Sequence, residues 1–342
     1  MRTDRAATLQ DIADRLGISR STVSFAITGR GRVSEETRRR VHEVAAEIGY
    51  HPNTLARSLR GARTGMIALA LPRDTSTMAY YMEATFGVVE EADRAGLIVS
   101  MLTADASPSQ LDRVHADGVI LLDPLADDES ARAILSGRLP VVTGEPVPPG
   151  LPEPRGDVMS DHASGVAELM DHLAERGSRH PALLSLDVPM QWAMTVRETF
   201  ETWCRDRGIP PRVVALAHPA TPDGIHRSVT ELLEGPEPVD AVVTTADGTV
   251  LSVVTSAERL GRRVGTDLLV AAAVDSAALE LTQPSITAID LHAREFGRRC
   301  MRALVAVLDA DAAGAPRQFV REVIPLTLRR RQSTAGPVAP PR

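Results

Sequence analysis

The sequence predicts an α/β protein in which a small all-α helix-turn-helix head precedes two lobes of parallel sheet. Three observations lead there. Near the start, Thr8-Leu-Gln-Asp-Ile-Ala-Asp-Arg-Leu-Gly17-Ile-Ser-Arg-Ser-Thr-Val-Ser24 joins two short helical patterns through a glycine. After residue 64, short apolar runs alternate with helical patterns, which is how parallel sheets are built. The charge is also divided. Through Arg63 there are twelve arginines against seven acids, net +5, in a chain of net charge −7, which leaves −12 for the remainder. A basic head on an acidic body is the balance expected of a nucleic-acid-binding module joined to a domain with another task.

Each element follows from local pattern. Thr8 suits an N-cap, and Leu9, Ile12, Ala13 and Leu16 recur at helical spacing until Gly17 stops the first helix. Ser19 caps a second helix with Val23, Ala26 and Ile27 turned inward. After the Gly29-Arg-Gly31 loop, Ser34-Glu-Glu-Thr starts a third helix, with acids where the helix dipole favours them, running to Gly49. Pro52-Asn53 then allows a short fourth helix, Thr54 to Leu59. Met66–Leu71 reads as a buried strand bounded by Pro72. A helix over about 79–95 follows, then strands over 97–102, 118–122 and 140–143 and a proline-rich loop over 146–154. The alternation restarts with helices near 162–176, 193–207, 224–234 and 248–261 between strands over 182–186, 213–216, 241–245 and 268–273.

At 342 residues the chain suits two or three domains, and 43% hydrophobic residues allow real cores. All 38 positive charges are arginine. The acidic body shares that bias, so it reflects composition rather than a site. Cys204 and Cys300 lie far apart without metal-ligand spacing, which fits a reducing, cytoplasmic compartment. No hydrophobic stretch follows the first residues as in a signal peptide, and no apolar run reaches membrane-spanning length. Nothing calls for a cofactor or a metal; His162, His172 and His180 read as surface or turn residues.

The sequence resembles the LacI/GalR family of bacterial transcription regulators. The motifs that carry the resemblance are Thr8-Leu-Gln-Asp-Ile-Ala with Gly17-Ile-Ser and Ser21-Thr-Val-Ser24, Val33-Ser-Glu-Glu-Thr-Arg38, and Ile48-Gly-Tyr-His-Pro-Asn53 with Ala56-Arg-Ser-Leu59. Weaker landmarks run on through Gly118-Val-Ile, His172-Leu, Asp240-Ala-Val and Pro284-Ser-Ile-Thr. The resemblance implies a two-lobed periplasmic-binding-protein-like, Rossmann-like core crossed three times by the chain, near Asp161, Asp290 and Arg321. The expected domains are a DNA-binding head over 1–51, a hinge helix and linker over 52–64, an effector-binding and dimerisation core over 65–328, and a disordered tail over 329–342. Within the core the first lobe takes about 65–160 plus 291–320 and the second about 161–290 plus 321–328.

For DNA, Arg20 at the start of the second helix can hold a guanine edge bidentately, and Phe25 suits a thymine methyl. The resemblance assigns Arg20, Ser21 and Phe25 to bases and Thr22 and Ser24 to phosphates. Thr8, Leu9, Ser19, Arg32, Ser34 and Thr37 complete the expected contacts to the duplex, since phosphate contacts fix register. It also implies that Asn53, Ala56, Arg57, Leu59 and Arg60 form a hinge helix in the minor groove, with Leu59 wedged at the central step. Two such helices require a two-fold homodimer on a pseudo-palindromic double-stranded operator. The tail lacks the apolar heptads that would build tetramers.

An effector such as a sugar would lie between the lobes at the carboxyl ends of the strands. Tyr80, Tyr81, Trp192, Arg197, Asp247 and Asp275 are the candidates for holding it. Here the pattern departs from the family's: Met78-Ala79 replaces Asn-Pro, Ala246 replaces an Asn, and Pro219 stands where a stacking aromatic belongs. Arg197 matches the family's ligand arginine only in a shifted register; otherwise Val196 takes that place. Asp247 and Asp275 can equally be helix caps, and Trp192 a core residue. The connection between Leu102 and Gly118 is also short for the family's helix. The function expected is a repressor of a carbohydrate-related operon modulated by a small effector. The alternatives are a regulator answering to a protein partner or to nothing, and an enzyme with a DNA-binding head. The enzyme lacks any recognisable phosphate loop or nucleophile elbow. A secreted solute-binding protein would not carry the head.

Overall fold

The computed structural model describes residues 7–28, 33–50, 63–72, 79–102, 115–217, 221–245 and 248–336. It divides into two compact units, Met1–Thr64 and Gly65–Arg342.

In the head, α1 (Leu9–Leu16), α2 (Arg20–Thr28) and α3 (Glu35–Glu47) close around Ile12, Ala13, Val23, Ala26, Val41 and Ala45. The ends are set by chemistry. The Thr8 hydroxyl accepts the Asp11 backbone N–H at 3.3 Å, and the Asp11 carboxylate accepts the Thr8 N–H at 2.7 Å, a reciprocal capping box. Gly17, at φ 65°, takes the left-handed turn into α2 that a side chain would resist. Ser34 caps α3 by accepting the Thr37 N–H at 3.2 Å, and Glu35 and Glu36 face the positive end of its dipole.

The second unit has two six-stranded sheets. Its first half runs β1 (Met66–Ala70), α4 (Ala79–Arg94), β2 (Ile98–Leu102), β3 (Gly118–Leu122), α5 (Glu129–Leu135), β4 (Val141–Gly144) and β5 (Gly156–Ser160). Then come α6 (His162–Glu175), β6 (Pro181–Leu186), α7 (Gln191–Asp206), β7 (Arg212–Leu216), α8 (Pro222–Glu234), β8 (Ala241–Thr244), α9 (Thr249–Arg259), β9 (Leu269–Ala272), α10 (Ala277–Leu281) and β10 (Thr287–Asp290). The chain ends in α11 (Ala293–Ala312), β11 (Val320–Ile324), β12 (Thr327–Arg329) and a 3₁₀ turn, Gln332–Thr334. The first sheet, in the order β11-β5-β4-β3-β1-β2, is all parallel; the second, β12-β10-β9-β8-β6-β7, is parallel except for β12. Central strands such as β3 and β6 are buried along their whole length, which accounts for their unbroken apolar runs. Helix α4 packs tightly on α11. A Cβ on Gly87 would strike the Arg294 carbonyl, and one on Gly297 the Ala84 carbonyl, so glycine at both positions lets the backbones meet.

Three crossings join the lobes, and the third differs from expectation. β11 includes Arg321 yet pairs with β5 in the first sheet, so the chain crosses at Pro325–Leu326. Arg321 is held by Asp157 of β5 (Nε–Oδ1 2.8 Å, Nη2–Oδ2 2.5 Å), which fixes the strand to that lobe. The expected disordered tail over 329–342 is also corrected in its first part. Ser333 and Thr334 are fully buried: the Ser333 hydroxyl donates to the Val270 carbonyl at 2.6 Å and accepts the Thr287 N–H at 2.9 Å. The Thr334 hydroxyl lies 2.6 Å from that of Thr287 and 2.7 Å from His172 Nε2. His172 is therefore a buried latch rather than a surface residue, and burial, helped by Arg330 and Arg176, depresses its pKa. The sequence pattern predicts no element for α5, β5, α10, β10, α11, β11 or β12; all but the 20-residue α11 are seven residues or shorter, too brief to show a period.

Candidate nucleic-acid interface and inter-lobe cleft

Helix α2 presents two faces. Val23 and Ala26 are fully buried in the head, while Arg20, Ser21 and Phe25 are exposed, Phe25 to 46%. Phe25 stands one turn on from Ser21, on the outward side of the helix. Arg15, Arg38 and Arg39 pair with Glu47, Glu35 and Glu43, whereas Arg20 makes no ion pair among the described residues. Its guanidinium is free to hold a base edge. The Ser19 hydroxyl accepts the Thr22 N–H at 3.1 Å, capping the helix, and lies 2.7 and 2.8 Å from the hydroxyls of Ser21 and Thr22. Thr22, Ser24 and Thr37 are half-buried, Ser34 is exposed, and Leu9 packs partly into the head core. Arg32, Asn53, Ala56, Arg57, Leu59 and Arg60, and with them the hinge helix, lie outside the described residues. So does the connection over 103–114.

Between the lobes of the second unit, a cavity is lined by Tyr80, Tyr81, Asp123, Glu145, His162, Trp192, Val274 and Leu291. Asp123 directly follows β3 and Glu145 directly follows β4, so both stand at the carboxyl edge of one sheet. Each adopts a left-handed backbone (φ 44° and 68°) unusual for a side-chain-bearing residue, and strain of this kind collects at functional sites. Their N–H groups hold the conformation, donating to the Gly144 and Val158 carbonyls at 2.8 Å. Glu145 Oε1 accepts the Ser160 N–H at 3.0 Å and lies 3.2 Å from His162 Nε2. The Tyr81 hydroxyl donates to Asp123 Oδ2 at 2.6 Å, and Oδ1, also buried, has no partner among the described residues. Burial, and secondarily the Glu145 charge, pushes the Asp123 carboxyl up to about 7 against the opposing pull of Tyr81 and His162. Burial, then the nearby Asp123 charge, likewise raises Tyr80 and Tyr81. The tyrosine rings meet edge-on at 5.2 Å, and Trp192 lies 6.1 Å from the His162 ring.

The structure thus brings Tyr80, Tyr81 and Trp192 together. Asp275 lies in an adjoining cavity that also borders Tyr80, and Arg331 engages both its oxygens, at 2.8 and 2.7 Å; Ser276, not Asp275, takes the N-cap position of α10. Arg197 is corrected: it stands on an exposed stretch of α7, its Nε 3.0 Å from Glu201 one turn on, and lines none of these cavities. Asp247, Ala246 and Pro219 lie outside the described residues. His162, expected at the surface, is buried against Glu145. Sequence reasoning missed Asp123, Glu145 and His162. An acid immediately after an apolar strand, as in Ile120-Leu-Leu-Asp123, was the available signal. Among the described residues, no cluster of His, Cys, Asp and Glu is arranged to hold a metal, and no helix is long and apolar enough to cross a membrane.

A helix-turn-helix head with a free arginine, followed by two parallel-sheet lobes joined by three crossings, defines a bacterial transcriptional regulator with a binding-protein-like core. Residues 8–53 match the bacterial regulatory proteins of the lacI family, and residues 170–334 match a periplasmic binding protein-like domain. The chain thus carries a lacI-family DNA-binding domain followed by a periplasmic binding protein-like domain. It is 27% identical over 316 residues to the HTH-type transcriptional regulator CelR of Thermobifida fusca, covering 89% of this chain and 93% of that one. Its fold matches the transcriptional regulator CelR in complex with cellobiose at a TM-score of 0.69 (26% identity, 96% of this chain, 99% of that one). It matches the Lac repressor dimer bound to operator and an anti-inducer at 0.79 (21% identity, 96% and 99%).

Proposed function

We propose that the protein acts in the cytoplasm as a dimeric repressor of carbohydrate-related genes, binding a pseudo-palindromic operator through α2 and answering to a small effector between its lobes. The observation that carries the DNA half is the outward face of α2, with an unpaired Arg20 beside exposed Ser21 and Phe25. Similar proteins support the regulatory half: one solved structure is of CelR in complex with cellobiose, another of the Lac repressor dimer bound to operator. Exposed Met82, Phe86 and Val89 at helical spacing on α4, with Leu251 and Leu281 in the other lobe, supply apolar surface for a second copy. In this reading residues 52–64 are the hinge and residues 65 onward the effector and dimerisation core. Ligand acts by binding unequally to two lobe arrangements. No step requires catalysis.

Fluorescence anisotropy on the palindrome upstream of its own gene tests the reading. The full chain should bind with a steep salt dependence. Arg20→Ala should lose about 1–3 kcal/mol on the operator, roughly five- to 150-fold, and much less on random DNA. Salt-independent binding, or equal loss on both duplexes, refutes it.

A further inference from the structure

The reading of the cleft as an effector site leaves the effector's chemistry open, and the cleft's own side chains narrow it. We infer that the effector carries a cationic amine, seated against the Asp123 and Glu145 carboxylates and walled by Tyr80, Tyr81 and Trp192.

The first ground is composition. Every positive charge in this chain is an arginine, 38 of them, yet among the described residues none lines the cavity that holds two carboxylates, and His162 is the single basic side chain described there. Ionised carboxylates only accept hydrogen bonds, so the wall asks for a donor-rich, positive ligand.

The second ground is the open valence of Asp123. Its residue is 4% exposed; Tyr81 satisfies one oxygen, and the other has no partner among the described residues. A buried carboxylate oxygen left without a donor is costly. An ammonium would satisfy it and relieve the repulsion between Asp123 and Glu145 at the ends of adjacent strands. A metal would do so electrostatically, but these groups lack the geometry of a metal cluster. The strained backbone at both acids shows that the fold accepts a cost to hold them there. Tyr80, Tyr81 and Trp192 add aromatic rings to the same wall, and aromatic rings attract ammonium groups.

The groups facing Asp123 are Tyr80 and Tyr81 from α4, Glu145 after β4, His162 at the start of α6, and Cys300 from α11. Without ligand, a proton takes the cation's place on Asp123, so amine affinity should weaken as pH falls below about 7.

The test uses the full chain at pH 7.5, with matched probes: D-glucosamine against D-glucose, and putrescine against 1,4-butanediol, read by thermal shift and calorimetry. At least one amine should raise the melting temperature and bind at least tenfold more tightly than its neutral partner. Asp123→Asn should lose at least tenfold of that affinity while melting at or above the wild-type temperature without ligand, which certifies its fold. Equal binding of amine and neutral partner, or unchanged affinity in Asp123→Asn, overturns the inference. Stabilisation by D-glucose alone overturns the amine and leaves the effector reading standing. Stabilisation by none of the four counts against the effector reading itself.

Discussion

The head and the cleft handle charge in opposite ways. In the head, a short helix offers an unpaired Arg20 and a bare Phe25 to solvent, over a core of only a few apolar side chains. In the cleft, Asp123 and Glu145 are withdrawn from water and hemmed in by aromatic rings. The contrast follows from the partners. DNA is a polyanion whose base edges are read by groups that reach out, and its attraction works through solvent and salt. A small molecule must be enclosed, so its recognition groups are desolvated beforehand and their charges become costly and sensitive to protons. Stability should therefore respond to different perturbations in the two regions.

The largest difference should come from the packing that supports the cleft. A side chain at Gly297 meets the backbone of Ala84 and Val88 on α4, where nothing flexible can yield. Gly297→Val should cost the second unit more than about 5 kcal/mol, beyond ordinary overpacking because backbone is struck. Two-transition calorimetry should show the core melting lost and the head transition in place. Loss of both transitions together would mean that the two units do not fold independently.

Next comes the buried carboxyl. Asp123 is raised from 3.8 to about 7, so the folded state holds a proton that the unfolded chain releases. The stabilisation is fully present below about pH 4 and is lost as pH rises through about 7. At 1.36 kcal/mol per pKa unit, that amounts to about 4 kcal/mol. Asp123→Asn should flatten this part of the profile, so variant minus wild type rises by about that amount between pH 4 and pH 8 in urea denaturation of the core. Other carboxylates, such as Asp267 and Asp290, are held low by arginine and backbone donors and fall with acid in both proteins, cancelling in the difference. A parallel pair of profiles would place Asp123 in water.

The same contrast explains what could be read from residues alone. The head is local: Thr8, Gly17, Ser19 and Ser34 set helix ends within a few residues, and the apolar spacing of α1 and α2 needs no distant partner. The cleft is assembled from the end of β3, the end of β4, the start of α6 and the first turns of α4 and α7, so no local pattern marks it. Asp123 looks like any acid after a strand, and its burial depends on Tyr81, 42 positions away. Arg197 misled because an arginine on α7 satisfies itself with Glu201 one turn on. The tail misled because its Pro- and Ala-rich composition conceals Ser333 and Thr334, whose partners Thr287, Val270 and His172 lie far back in the chain.

The smallest expected effect separates structure from contact within the head itself. Thr8 is proposed as a DNA contact, yet its hydroxyl is already engaged, accepting from the Asp11 N–H and lying 2.7 Å from the Asp11 carboxylate. Thr8→Ala should lower head stability by about 1 kcal/mol, the ordinary value of an N-cap, and Thr8→Ser should restore it. If the cap is its main work, operator affinity measured well below the melting temperature should hardly change in Thr8→Ala, because α1 is still folded there. If Thr8→Ala weakens operator binding several-fold without lowering the melting temperature, the hydroxyl belongs to the duplex rather than to the helix. The same pair of measurements on Ser34→Ala would decide whether the cap of α3 follows the same rule.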